Sequence, residues 1–418
     1  MKDSGIEWIG ECPEHWEFVR GRYLFKQRNT KGNLKNLELL SPSQKFGVVP
    51  QTLLEELTTQ TVVKVKEDTN LETFKTIHVG DFCISLRSFQ GGFEYSKYEG
   101  VVSSAYQVFY PIVPIYDGYY KFLFKDKSFI EKMNSYTISF RDGKNIAFED
   151  FGNTYIPYPP IDEQRKIAEF LDKKCEEVDG LIADIQTQID TLEQYKRSTI
   201  TEAVTKGLNS IVKMKDSGLE WVGQIPKHWE VIPNKYLMGK RKIIQPIYKG
   251  EDILSLTVNG VIKRDLENPS GKMPTSFDGY QVVYPNNLLM CLFDIDVTPR
   301  CVGVIKDYGL TSPAYSQFIL NEKADTNYYY YYYLSLDFTK ELLHLAKNQR
   351  HSLNEEQIGA IKAIVPPIDE QKLIAEYLDK KCAEIDACID EKKQQISVLE
   401  TYKKSIIFEY VTGKKEVV

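Results

Sequence analysis

The sequence predicts an α+β protein in which two mixed α/β domains are joined by two long antiparallel coiled-coil helices. The two halves are expected to be related by a pseudo-twofold axis, as an internal duplication. Three observations favour this fold class: a tryptophan-rich segment occurs twice, a Pro-Pro-Ile-Asp-Glu-Gln segment with the residues after it occurs twice, and those residues carry a heptad pattern.

The tryptophan-rich repeat marks the start of each half. Residues 1–18 and 214–231 are identical at 12 of 18 positions and hold all four tryptophans of the chain. Each segment contains Pro-x-His-Trp-Glu, with His15 in the first copy and His228 in the second. Such a motif could form a small polar site, but a packed aromatic cap is the favoured interpretation.

The second repeat predicts two long helices. Residues 159–205 and 366–412 align without a gap and are identical at 28 of 47 positions. Asp162 is expected to cap the first helix and Glu163 to favour its first turn. Two positions of each heptad then hold mainly apolar or small residues, which is the pattern of a coiled-coil seam. The seam positions are Leu171, Cys175, Val178, Ile182, Ile185, Ile189, Leu192, Lys196, Thr199 and Ala203, then Leu378, Cys382, Ile385, Ile389, Lys392, Ile396, Leu399, Lys403, Ile406 and Tyr410.

Lysines interrupt this seam at three positions, and we expect them to help set the register of the helices. The cysteines at 175 and 382 are interpreted as small apolar seam residues. The predicted order of segments is a cap (1–18), a variable domain (19–160), a spacer helix (161–213), a second cap (214–231), a second variable domain (232–367) and a second spacer helix (368–418).

The variable domains are expected to consist of short strands joined by turns, with a few short helices, because β-branched and aromatic runs alternate with Gly, Asn, Asp and Pro. Tyr328–Tyr333 could stack on bases, but a buried element is favoured. If the spacer helices pair antiparallel, the two domains lie at opposite ends of a rigid spacer. That arrangement suits a ligand with its own twofold axis, and duplex DNA is the obvious candidate.

Composition excludes several classes of protein. With 418 residues, 42% hydrophobic and 27% charged, the chain is typical of globular proteins. It has no apolar run near the roughly 18 residues of a membrane span and no signal-peptide core at its start, so a cytoplasmic location is expected. Its seven cysteines form no CxxC pair and do not cluster with histidines, which argues against disulfides and zinc.

Charge is distributed unevenly along the chain. The net charge of −6 argues against a simple basic nucleic-acid binder. The only positive segments, however, are 19–155 and 232–363, at +3 and +1. DNA contact is therefore expected in the variable domains, and protein contact elsewhere.

No catalytic constellation is recognisable. The Pro-Ile-Asp-Glu-Gln segments look like fragments of a metal-dependent nuclease motif, but their acidic residues sit together at a helix start instead of converging on a metal from separate strands. The Pro-Pro pairs lack the Asn or Asp that a base-methylating enzyme needs before them. Gly91-Gly92 is a turn signal and too weak for a cofactor loop. The chain is therefore predicted to be no enzyme and to bind no metal.

Taken together, these motifs resemble the DNA-specificity subunit of type I restriction–modification systems. The resemblance rests on caps of the form DSGxEWxGxxPxHWE, variable domains that close on PPIDEQ, and heptad helices that end in YKRS or YKKS. It implies two target-recognition domains that each read one half of a bipartite asymmetric DNA site, with the helices setting the unread gap. It also implies two modification subunits that use S-adenosylmethionine and restriction subunits that hydrolyse ATP with Mg²⁺, and no cofactor in this chain.

The base-reading residues of that family follow no fixed motif, so DNA contacts are expected from polar residues on predicted loops, whose donors and acceptors can meet base edges. The candidates are Ser41, Lys45, Arg87, Ser88, Gln90, Ser103 and Tyr106 in the first domain, and Ser255, Asn259, Lys263, Asp294, Arg300, Ser312 and Tyr315 in the second. Two other function classes stay open at this point. One is a coiled-coil scaffold without DNA readout, and the other is a single-chain nuclease or methyltransferase.

Overall fold

The computed structural model describes residues 1–32, 37–58, 73–84, 92–136, 146–269, 271, 273–346 and 351–417. The chain divides into two units. Unit 1 combines Met1–Ile185 with Gln394–Val418, and unit 2 is Gln186–Lys393. Each unit therefore contains one cap, one variable domain and a part of each long helix.

Unit 1 is built on a four-stranded antiparallel sheet of order β4-β11-β8-β9. The smaller antiparallel pairs are β1 with β2, β3 with β12, β5 with β6, and β7 with β10. Its elements are β1 (Lys2–Asp3), β2 (Glu11–Cys12), β3 (Glu17–Arg20), α1 (Gly21–Leu24), β4 (Phe25–Arg28), β5 (Leu40–Ser43), β6 (Gly47–Pro50), α2 (Gln51–Thr58), β7 (Lys75–Ile77), β8 (Phe82–Ile84), β9 (Phe93–Tyr95), β10 (Gly100–Val102), β11 (Gln107–Pro111), α3 (Asp117–Leu123), α4 (Lys127–Ser135), α5 (Phe148–Asn153) and β12 (Tyr155–Tyr158).

The core of unit 1 is dominated by aromatic rings. Phe109 of β11 lies opposite Phe82 of β8 in the sheet, and their rings stack with centroids 5.5 Å apart. Phe25 and Phe124 pack on the same cluster, and all four side chains are buried. The cluster continues into both long helices, because buried residues from 167–175 and 406–411 belong to it. The helices are thus part of the core of the unit.

Unit 2 has a sheet of the same topology, with the order β16-β23-β20-β21. Its smaller pairs are β13 with β14, β15 with β24, β17 with β18, and β19 with β22. Its elements are β13 (Met214–Asp216), β14 (Gln224–Pro226), β15 (Glu230–Pro233), a 3₁₀ turn (Asn234–Tyr236), β16 (Met238–Arg241), β17 (Leu254–Thr257), β18 (Gly260–Lys263), β19 (Gln281–Val283), β20 (Leu288–Met290), β21 (Val302–Val304), β22 (Gly309–Thr311), β23 (Ser316–Leu320), α7 (Thr326–Phe338), α8 (Glu341–Leu345), α9 (Glu355–Ala360) and β24 (Lys362–Val365).

The tyrosine run forms the centre of the unit 2 core. It lies in α7, whose first turn is capped by Asp325 through a hydrogen bond from the Tyr328 amide. All of the run except Tyr330 is buried, and the Tyr329 hydroxyl donates to the Ile364 carbonyl at 3.0 Å. The prediction of a buried element is confirmed. Most hydroxyls of the run reach polar partners, which lowers the cost of burial, but the buried Tyr332 hydroxyl has no hydrogen-bond partner among the described residues.

Two long helices, α6 (Ile161–Lys206) and α10 (Ile368–Val411), follow the variable domains. The expectation that Asp162 caps α6 is wrong: the helix begins one residue earlier, and both Asp162 and Glu163 lie in its first turn. Carboxylates at that position interact favourably with the positive end of the helix dipole. The helix ends before Gly207, whose φ of +75° is left-handed and suits glycine.

The described seam residues of α6 and α10 are all buried or half-buried, as the heptad pattern predicts. In unit 1, Leu171 of α6 shares a hydrophobic core with Ile406 of α10. In unit 2, Ile200 of α6 shares one with Leu378 of α10. Among the described helices, none combines the length and apolar character needed to cross a bilayer.

Candidate nucleic-acid interface

The β5–β6 hairpin of unit 1 carries two of the candidate DNA contacts. Ser41 is half-buried in β5, where its hydroxyl accepts a hydrogen bond from the Gln51 side-chain amide at 3.0 Å. Lys45 lies in the turn and is exposed, with its ammonium 5.2 Å from the centroid of the Phe46 ring. Lys45 is therefore free to meet a phosphate or a base edge, whereas Ser41 already has a partner.

A second unit 1 candidate region is the turn before β11. The Tyr106 amide donates to the Ser103 carbonyl at 3.0 Å, and the Lys75 ammonium donates to the Tyr106 carbonyl at 2.7 Å. Both candidate side chains are half-buried. Three further candidates, Arg87, Ser88 and Gln90, lie outside the residues that the structure describes.

A buried ion pair between Lys125 and Glu94 contacts the β5–β6 turn. The Lys125 ammonium contacts the Glu94 carboxylate at 2.5 Å and also donates to the Gln44 carbonyl at 3.2 Å, next to Lys45. The Glu94 side chain is only 2% exposed. Burial raises the pKa of Glu94 to about 7, although the nearby Lys125 opposes this shift. Sequence reasoning missed this pair, since nothing local links residues so far apart in the chain.

In unit 2 the β17–β18 hairpin is the counterpart of the β5–β6 hairpin. Ser255 is half-buried in β17, and Asn259 is exposed at the turn. Lys263 is exposed but ion-paired with Asp252 at 2.7 Å. Because exposed ion pairs are weak, Lys263 can exchange its carboxylate partner for a phosphate at little cost.

The segment between β20 and β21 carries Asp294 and Arg300. Asp294 has a left-handed backbone, with φ of +49°, and its carbonyl accepts from the Thr298 hydroxyl at 2.8 Å. The Arg300 guanidinium donates to the Tyr330 hydroxyl at 3.4 Å. Arg300 is only half-buried, so its remaining N–H groups can serve a ligand.

The last two candidates lie in the turn before β23. The Gln281 side-chain amide donates to the carbonyls of Ser312 and Tyr315, at 2.8 and 2.7 Å. The Tyr315 ring stacks on Phe293 with centroids 6.0 Å apart. These contacts fix the turn and connect it to the segment that carries Asp294.

Of the candidates, the structure brings Asn259 and Arg300 together. Both line a groove of about 850 Å³ in unit 2, which we call the unit 2 groove. A methyl group added at Gly260, the residue after Asn259, would lie 3.9 Å from the guanidinium. The other candidates of unit 2 do not line this groove.

Sequence reasoning missed most of the charged side chains of the unit 2 groove. Its basic residues are Lys196, Arg197, Arg300, Lys340 and Lys393, and its acidic residues are Glu193, Asp337, Asp386 and Asp390. Ion pairs at 2.6 and 2.7 Å neutralise Lys196 and Lys340. Within the described part of the chain, the other three cations have no carboxylate at ion-pair distance. Lys196 and Arg197 belong to the Tyr-Lys-Arg-Ser segment, whose second copy reads Tyr-Lys-Lys-Ser, and Lys196 is also one of the seam lysines.

The caps are tied to the long helices by a glutamate that both copies share. In unit 1 the Glu163 carboxylate accepts from the Trp16 indole at 2.8 Å and contacts His15 Nε2 at 2.7 Å. In unit 2 Glu370 accepts from the Trp229 indole at 2.9 Å and contacts His228 Nε2 at 2.7 Å. Trp16 and Trp229 are buried, so the interpretation as a packed aromatic cap is correct. These glutamates are engaged in structural contacts, which leaves the nuclease interpretation without support.

Two of the seam lysines pair with aspartates on the opposite long helix. Lys196 contacts Asp386 at 2.6 Å in unit 2, and Lys403 contacts Asp179 at 2.6 Å in unit 1. The four positions are equivalent in the repeat, since the offset is 207 residues in both cases. Among the described residues, no group of three or more His, Cys, Asp or Glu side chains could hold a metal ion.

Comparison with known proteins gives one family and several relatives. Residues 13–191 and 304–401 match the family described as the type I restriction modification DNA specificity domain. The chain is similar to the type I restriction enzyme MjaVIII specificity subunit of Methanocaldococcus jannaschii, with 28% identity over 96% of this chain and 93% of the relative. It is also similar to the putative MjaX specificity subunit of the same organism, with 24% identity over 97% and 95%.

Two solved structures share the fold. One chain, from work on complex assembly and conformational transition of the type I restriction–modification system, has a TM-score of 0.69 at 13% identity and covers 97% of this chain and 100% of its own. The crystal structure of the HsdS subunit from Thermoanaerobacter tengcongensis has a TM-score of 0.50 at 14% identity and covers 99% and 100%. At such identities these likenesses concern the fold alone.

Proposed function

Because the chain belongs to the family of type I restriction–modification DNA specificity domains, we propose that each of its two units reads one half of a bipartite, asymmetric DNA site. As a specificity subunit the chain selects the DNA sequence and is not itself catalytic. The observation that carries the proposal is that the family match extends over both halves of the chain, each built on a sheet of the same topology.

The proposed domain order follows from the repeat. The target-recognition domains are 19–160 and 232–367, each preceded by a cap, at 1–18 and 214–231, and followed by a spacer helix, at 161–213 and 368–418. Support for an internal duplication comes from the equal order of strand pairing in the two units. Support for an antiparallel coiled coil comes from each unit, where the early part of one long helix shares a core with the late part of the other.

Base readout is proposed for the polar loop residues of both recognition domains. In unit 2 the pair Asn259 and Arg300 is the best supported, since both line one groove. An asparagine amide can bond adenine, and an arginine fork can bond O6 and N7 of guanine. The basic side chains beside them, Arg197 and Lys393, are suited to phosphate oxygens, which position the protein without reading sequence.

The proposed partners are double-stranded DNA, two modification subunits and the restriction subunits. The modification subunits would supply methyl transfer from S-adenosylmethionine, and the restriction subunits ATP hydrolysis with Mg²⁺. This chain would bind none of these cofactors and would work inside the cytoplasm, where the DNA is.

Sequencing of genomic methylation in cells that carry the chain with its modification subunit tests the proposal. The expected result is one bipartite motif with two unequal halves. When 19–155 is replaced by the same region of a relative, one half-site should change and the other should stay. A scaffold without DNA readout predicts no dependence of the motif on this chain, and a change of both halves together would contradict independent reading.

A further inference from the structure

The segment between β20 and β21, residues 291–301, is held in place by an ion pair that hydrogen-bonds to its backbone before and after Arg300, at Thr298 and Cys301. The Asp337 carboxylate accepts from the Cys301 amide at 2.7 Å and contacts the Lys340 ammonium at 2.7 Å. The same ammonium donates to the Thr298 carbonyl at 2.6 Å. The Asp337 side chain is 5% exposed, so this contact is shielded from water.

Two further hydrogen bonds hold the backbone of the segment, in addition to those made by Asp337 and Lys340. The Leu353 amide donates to the Leu292 carbonyl at 2.8 Å, and the Ile295 amide donates to the His351 carbonyl at 3.3 Å. The His351 ring contacts Asp296 at 2.9 Å. The segment that carries Arg300 is therefore fixed at its start, its middle and its end.

The backbone around this segment is also strained. Among the described residues other than glycine, φ is positive at only four positions: Asn286, Asp294, Lys340 and His351. Asp294 lies within the segment, and Lys340 and His351 contact it directly. Residues with a β-carbon rarely adopt this conformation, and it persists where the surrounding structure enforces it.

The left-handed backbone of Lys340 accompanies a contact between its ammonium and the Arg300 segment. With φ of +56° it is the N-cap of α8, a position at which glycine would be cheaper. A glycine, however, has no ammonium to join Asp337 to the Thr298 carbonyl. The sequence thus keeps a lysine in an unfavourable backbone conformation at a position where its charge holds the Arg300 segment.

We propose that Asp337 and Lys340 are positioning residues for DNA reading, whose ion pair fixes the direction in which Arg300 meets a base edge in the unit 2 groove. The inference rests on the proposed function. Bidentate contact between a guanidinium and O6 and N7 of guanine needs a fixed fork, and a backbone anchored on both sides of Arg300 supplies it. Asp337 and Lys340 act through Arg300 and need not touch a base.

Lys340→Gly is the sharpest test, because glycine accepts the left-handed backbone and removes the lysine side chain together with its ammonium. The matched control is Asn286→Gly, which relieves the same kind of backbone strain elsewhere in unit 2. Each variant is expressed with the modification subunit, and genomic methylation is sequenced. Lys340→Gly should reduce discrimination at one base position of one half-site by about tenfold, within the range of a bidentate contact. The other half-site, and the whole motif of Asn286→Gly, should stay unchanged.

A purely structural role predicts a different result. Methylation would then fall equally at all sites with the motif intact, and that outcome would overturn the inference. Asp337→Asn is the second variant: it keeps an acceptor for the Cys301 amide but weakens the attraction to Lys340, and it should relax the same base position. If Lys340→Gly melts far below the wild type, the Asp337→Asn motif decides, and an unchanged motif rejects the proposal. Absence of a bipartite motif with the wild-type chain would instead refute the proposed function.

Discussion

Glu370→Ala is expected to destabilise unit 2 substantially, because this carboxylate holds the second cap on the N-terminus of α10. It accepts a hydrogen bond from the buried Trp229 indole at 2.9 Å and contacts His228 at 2.7 Å. Trp229 is 0% exposed, so the substitution takes the charged acceptor away from an indole N–H that lies inside the packed cap. A buried donor without a partner is costly.

The magnitude follows from these two contacts. A hydrogen bond to a charged group contributes about 1.5–3 kcal/mol, and the half-exposed histidine contact adds about 0–1 kcal/mol. A loss of about 3 kcal/mol corresponds to a fall of roughly 6–12 °C in the melting temperature of a unit of this size. Glu370→Gln keeps an oxygen acceptor for the indole and should lose less than half of that amount.

Differential scanning calorimetry of the full chain measures the effect. Glu376→Ala, an exposed glutamate of the same helix, is the control and should change stability by about 0.5 kcal/mol or less. Glu163→Ala is the matched change in unit 1, where the corresponding bonds are 2.8 and 2.7 Å. The reasoning fails if Glu370→Ala melts like Glu376→Ala, or if the Gln variant is as unstable as the Ala variant.

Three further outcomes are expected. Arg300→Ala should relax the choice at one base position by a free energy of about 1–3 kcal/mol, measured by competition binding of the assembled complex; an equal loss on all sequences would mark a phosphate contact instead. Since burial raises the pKa of Glu94 to about 7, unit 1 should lose stability as pH rises from about 4.5 through 7, and thermal melts of Glu94→Gln should lack this loss. A fragment of residues 1–209 should dimerise and, with modification subunits, direct methylation of a palindromic bipartite site. The Val411 carbonyl accepts from the Tyr119 hydroxyl, and the Val204 carbonyl accepts from the Tyr328 hydroxyl in the same way, so Val204 of a second copy can replace Val411 in the fragment. Light scattering that shows a folded monomer would contradict this.

Much of the architecture is determined by local and repeated patterns in the sequence. The heptads predict the two long helices, because a helix of this length shows its buried stripe at a fixed period. Both begin where the predicted segments begin, at Ile161 and Ile368, but they end at Lys206 and Val411 and not at 213 and 418. The burial of the tyrosine run apart from Tyr330, and of Trp16 and Trp229 in the caps, is likewise predicted, since large aromatic side chains are placed in cores. The repeat itself carried the family resemblance, and the family match confirms it.

Only the tertiary structure decided how side chains far apart in the chain meet. The start of α6 illustrates this: Asp162 looks like the cap, but Glu163 makes the contact that matters, with an indole 147 residues away. Likewise, Asn259 and Arg300 line the same groove because the β17–β18 hairpin packs beside β21. Asp337, near the end of α7, accepts a hydrogen bond from the Cys301 amide and so holds the segment that carries Arg300. The period of apolar residues along the sequence determines which face of a helix or strand is buried. A binding site depends on which helices and strands pack together, and that packing is determined by the contacts of the whole core and not by any local pattern.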